Sequence, residues 1–216
     1  MGPADLDRTR RSLHGVAEMV LAAPQYDTSR SIRLRVTPGG FGTTADPDLR
    51  VDGLELVGAS ARWPLDGTFA ELARAAGVQA RPLRDVYADG PGVGQDDPLQ
   101  VEPGAAQLLV EALARGDAAM RAFAPAEQPV LWPEHFDVGI SRDDVNYGVS
   151  PGDRHVAEPY AYVGPWQPRV GRFWNRPFGA IRLMSEVPDV VSLTEFFREG
   201  AARAAADPRA TPDASG

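Results

Sequence analysis

Apolar side chains recur at helical spacing over residues 5–23, where Leu6, Leu13, Val16, Ala17, Val20 and Leu21 share one stripe. Asp5 reads as the N-cap of that helix and Pro24 as its stop. The period then shortens to two. Ile32, Leu34 and Val36 alternate with Arg33 and Arg35, and Gly39-Gly40 turns the chain into Phe41–Thr44, which predicts a hairpin. Between Leu49 and Gly58 the apolar parity switches at Asp52-Gly53, marking a bulge or a turn between short strands.

Helical spacing returns after Thr68 and Glu71, a capping box ahead of Phe69, Leu72, Ala73 and Ala76, with Gly77 as the stop. Residues Asp89 to Pro98 carry no apolar period and read as a surface loop. The longest helical pattern runs from Gly104 to Ala124, and a last one starts at Ser192, with Glu195 as its capping partner, and reaches about Ala205. These elements predict a single α+β domain over residues 1–205. It would hold a largely antiparallel sheet of roughly six strands with about four helices packed on it, followed by a disordered tail over 206–216.

Residues 131–178 stand apart from this pattern. They are 48 of 216 residues yet hold 9 of the 17 aromatics and 2 of the 3 histidines. His135 to Ser141 alternates, which would put Phe136, Val138 and Ile140 on one face of a strand and His135, Asp137, Gly139 and Ser141 on the other. Arg142-Asp143-Asp144 would turn into a returning strand from Val145.

Composition narrows the chemistry. The chain has no cysteine, which removes thiolate nucleophiles, Cys-ligated metals and disulfides. It has no lysine either, so its 22 basic residues are all arginine and neither a Schiff base nor a P-loop lysine is available. A net charge of −8 is the wrong sign for a protein that neutralises phosphates, so nucleic acid is not an expected partner. Gly90-x-Gly92-x-Gly94 precedes two aspartates rather than a helix, against a phosphate cradle. The apolar runs are too short for a membrane span, Thr9-Arg10-Arg11 lacks an export signal's uninterrupted core, and cytoplasmic residence is the expectation.

Two chemical readings follow from the late segment. In the first, a sheet face carrying His135 and Asp137 lines an aromatic-walled cleft that binds a small molecule, and these two residues are the catalytic candidates. The lining would come from Trp132, His135, Asp137, Tyr147, His155, Glu158, Tyr160, Tyr162 and Trp166. In the second, a divalent metal such as zinc or iron serves a hydrolase, with His14, His135, His155 and Glu158 as candidate ligands; His14 and Glu18 share a helical face at i and i+4. A bland alternative is that the aromatics fill a core and the polar face is solvated. A third class is an interaction module that buries the aromatic segment against a partner or a second copy of the chain.

The stretches Arg11-Ser-Leu-His-Gly, Ser31-Ile-Arg-Leu-Arg-Val-Thr-Pro-Gly-Gly-Phe-Gly-Thr and Leu131-Trp-Pro-Glu-His-Phe-Asp-Val-Gly-Ile, with Asn146-Tyr-Gly and Glu158-Pro-Tyr-Ala-Tyr, resemble an uncharacterised bacterial family of unknown function. The resemblance implies an early helix bearing a Leu-His pair, a hairpin, a long middle helix and a late Trp/Phe/Asp strand. It implies no activity and no catalytic residues.

Overall fold

The computed structural model describes residues 2–210 of the chain. The fold is α+β: ten antiparallel strands with helices packed on the sheet. It divides into two compact units, one of residues 1–114 with 130–138 and one of residues 115–129 with 139–216. Among the described residues, no helix is long and apolar enough to cross a membrane. The expected tail begins inside the described chain, where residues 208–210 are paired with 168–170; its remainder, 211–216, lies outside the described residues.

In the first unit, α1 (Pro3–Gly15) runs into a π-helical segment (Val16–Ala22) and then α2 (Ala23–Ser29). The helix therefore does not stop at Pro24. Ala23 N–H bonds to the Glu18 carbonyl, five residues back, and Pro24 falls in the first turn of α2, where its missing N–H breaks no ladder. Every residue of the π segment is buried. The hairpin β1 (Leu34–Thr37) and β2 (Gly40–Thr43) forms as expected. Asp52-Gly53 marks a two-residue turn, since β3 (Arg50–Asp52) and β4 (Glu55–Val57) pair Asp52 with Glu55 and Gly53 takes a φ of 62°.

Strands β5 (Arg62–Pro64) and β6 (Val130–Trp132) complete this unit's sheet, in the order β6-β1-β2-β3-β4-β5. Ten strands rather than six arise because four of these are only three residues long, too short to display a period. Helix α3 (Phe69–Ala75) starts at the Thr68/Glu71 capping box. Buried Gln25 ties α2 to the sheet: its Nε2 donates to the Ser31 and Arg33 carbonyls, and its Oε1 accepts from the Thr44 and Ala45 N–H groups.

Helix α4 (Pro103–Phe123) follows the predicted bounds to within a residue. The second unit's strands are β7 (Asp137–Arg142), β8 (Val145–Ser150), β9 (Tyr160–Pro165) and β10 (Ala180–Leu183), in the order β10-β9-β8-β7, with the first two residues of β7 counted in the first unit. Helix α5 (Val190–Ala206) packs on β9 and β8. It begins two residues before Ser192, because Asp189 is the N-cap: its carboxylate accepts the Ser192 N–H at 2.8 Å and completes a capping box with that serine. Tyr147, Phe123 and Phe197 form the ring cluster beneath, with centroids 4.8 to 6.0 Å apart.

Candidate functional site

The strand that carries His135 in the sequence reading starts two residues later. Residues 133–136 form a turn closed by Phe136 N–H to the Trp132 carbonyl at 2.8 Å, and Phe136 adopts a φ of 55°. Burying the Phe136 ring against His14 and Phe41 holds that conformation. His135 consequently leaves the strand and points outward, its side chain 55% exposed, with Nε2 3.3 Å from Glu134 and Nδ1 3.9 Å from Asp89. Asp137 opens β7 and is buried, as are Val138, Gly139 and Ile140. His135 and Asp137 therefore do not share one face of a strand.

The remaining candidates separate by unit. In the first, Trp132 is half-buried beneath the Arg33 guanidinium, and His14 is half-buried too. His14 Nε2 donates to the Pro133 carbonyl at 2.7 Å, and burial holds its pKa down at about 4. In the second, His155 and Glu158 are exposed. Asp153 organises their loop, accepting from the His155 and Val156 N–H groups and, at 2.7 Å, from the hydroxyl of buried Tyr160. Burial alone would raise the Asp153 pKa, but these donors outweigh it and hold it below the ordinary value. Tyr162 is half-buried on β9. Among the described residues no group of three or more His, Cys, Asp or Glu side chains is placed to hold a metal ion, so the set His14, His135, His155 and Glu158 does not assemble into one.

Besides the ring neighbours Tyr160 and Tyr162, with centroids 6.5 Å apart, two candidates meet, Tyr147 and Trp166. Both line a cavity of about 440 Å³ in the second unit, which falls within the range of small-molecule sites. One wall is the β7–β8 turn, where Asp143 and Asp144 both sit at positive φ, 51° and 58°. That is the geometry of a two-residue type I′ turn, which matches the twist of the strands and which aspartate tolerates better than most side chains. A second wall is the end of β9 and the segment after it: Trp166, Gln167 and Arg169. Trp166 is 63% exposed and anchored at its edge, Nε1 donating to Asn146 Oδ1 at 3.1 Å, while its backbone N–H bonds to the Asp144 carbonyl. A third wall is the last turn of α5, with Ala201, Ala204 and Ala205, and Arg209 just beyond it.

Tyr147 lies on the inner side of this cavity. Burial, and after it the Asp143 charge, push its phenol up to about 12, with Arg142 opposing. It remains a neutral donor across the physiological range.

Sequence reasoning singled out neither arginine nor the two aspartates as lining. The signal was present in the Asp-Asp turn that joins two strands, since paired positive φ at non-glycine positions concentrates at sites. Arg169 and Arg209 are 40 residues apart in the sequence and carried no such signal. No family model, no curated protein and no solved structure matches this chain.

Proposed function

We propose that this chain binds a small organic molecule in the cavity framed by the Asp143-Asp144 turn, Trp166 and the end of α5, in the cytoplasm. The observation that carries the reading is the cavity itself: about 440 Å³ with an anchored, largely open indole on its wall and a small number of polar groups converging on it. The alanines on α5 supply room, and Tyr147 and Gln167 supply neutral hydrogen-bonding groups.

A thermal-shift screen of metabolites against the full chain and its Trp166→Ala variant tests this. A ligand at one hundred times its Kd stabilises by about 2.7 kcal/mol, an upward Tm shift of several degrees. The expected result is at least one compound that shifts the native chain and not the variant. If every shift is shared equally by the two proteins, or none occurs, the reading fails.

Trp166, Val170 and Phe178 are all exposed, which favours a second reading, an interaction module. Sedimentation of the native chain across a concentration series separates the two: self-association that Trp166→Ala abolishes supports the module.

A further inference from the structure

Arg169 and Arg209 face one another across an antiparallel bridge, so their side chains leave the same face. The pairing is fixed on both sides, by Val170 N–H to the Pro208 carbonyl at 2.9 Å and Ala210 N–H to the Pro168 carbonyl at 2.8 Å. Like charges directly opposed are unfavourable, and among the described residues neither guanidinium meets a carboxylate. Arg169 is also oriented: Nε donates to the Ala204 carbonyl and Nη1 to the Gln167 carbonyl, each at 2.8 Å. A guanidinium with its plane set in advance presents a fork suited to a carboxylate or phosphate.

The opposite sign lines the same cavity. Asp143 is offset by Arg142, whose Nε lies 3.2 Å from its carboxylate, but Asp144 has no ion-pair partner among the described residues. The Trp166 indole, whose face also attracts cations, lines the same cavity. A cavity carrying an unbalanced positive pair and an unbalanced carboxylate selects a molecule that carries both signs.

We propose that the ligand is a zwitterion, its anionic group bound by Arg169 and Arg209 and its cationic amine by the Asp143-Asp144 turn. This rests on the small-molecule reading of the same cavity and assigns its ligand class.

The test is isothermal titration of the full chain at low ionic strength with three probes of one length: 6-aminohexanoate, hexanoate and hexylammonium. The native chain is expected to bind 6-aminohexanoate about tenfold or more tighter than either singly charged probe, about 1.4 kcal/mol or more. Asp144→Asn keeps a residue that accepts positive φ and should reduce 6-aminohexanoate to the affinity of hexanoate. Arg209→Gln should reduce it to that of hexylammonium. Equal binding of the three probes, undiminished binding of the zwitterion by both variants, or binding of none overturns the ligand class. In each case the small-molecule reading still stands if the metabolite screen yields a Trp166-dependent compound, and falls with it if the screen is empty.

Discussion

His14 and Pro133 are joined by a hydrogen bond of 2.7 Å from the imidazole Nε2–H to the backbone carbonyl. A carbonyl only accepts, so the ring is held as the Nε2–H tautomer, stacked at 5.5 Å on Phe136. Packing strips much of the water from the ring, and protonating it there costs the fold.

That cost predicts an acid limb. The folded imidazole titrates at about 4, against an ordinary 6.5, so the unfolded chain takes up the proton first as pH falls. The contribution to stability is complete above 6.5 and is lost progressively down to 4, amounting to about 3 kcal/mol. His14→Gln keeps a side-chain amide able to reach the carbonyl and removes the titration. Urea unfolding of the two proteins should run parallel above pH 7, with the native chain losing more stability than the variant between 6.5 and 4. Curves that stay parallel through that window would refute the assignment.

Glu18 predicts the opposite sign. It is buried in the π segment, its Oε1 accepting the Leu83 N–H at 3.0 Å, while Oε2 and the Tyr87 hydroxyl are both sealed without a well-formed hydrogen bond. Burial raises the carboxyl pKa, against the Leu83 N–H, Tyr87 and Arg84, which lower it. The folded state therefore holds the proton more tightly, and stability present below the ordinary value of 4.5 is lost as pH rises through the raised one. Glu18→Gln retains an acceptor for Leu83 and cannot ionise. It should be at least as stable as the native chain at pH 7, with its relative advantage shrinking as pH falls to 4. A variant weaker than native at pH 7 and equal to it at pH 4 would contradict this.

Gly200 predicts a coupled pair of substitutions. A Cβ on this glycine would come within 2.7 Å of Val163 Cγ2 and 2.8 Å of Cγ1. Alanine gains up to about 1 kcal/mol of helix propensity over glycine, while overpacking a tight contact costs about 1–3 kcal/mol. Gly200→Ala should therefore lower stability by about 1 kcal/mol. In the Val163→Ala background the same change should turn neutral or stabilising, as a double-mutant cycle in denaturant would show. Additive effects would mean that the helix simply moves away.

Much of this fold could be read from side-chain periods and caps. The β1–β2 hairpin, the Thr68/Glu71 cap, the extent of α4 and the Asp143-Asp144 turn each follow from a local pattern of a few residues. What escaped depends on neighbours distant in sequence. The helix continues past Pro24 by way of a π segment, Val16–Ala22, whose seven residues tertiary packing buries. Gln25 looks like any surface glutamine until the Thr44 and Ala45 amides arrive. His135 and Asp137 alternate on paper, and the left-handed Phe136 between them breaks that phase. Of the candidate lining, Tyr147 and Trp166 converge on one cavity, while the arginines that complete it come from segments brought together only by the bridge between residues 169 and 209.

The anchoring of Trp166 by Asn146 makes the chain its own optical probe. Of its four tryptophans, at 63, 132, 166 and 174, this is the only one that is largely exposed. An occupant that dries that ring would move its emission toward the blue and protect it from a collisional quencher such as iodide, with no label added to the protein.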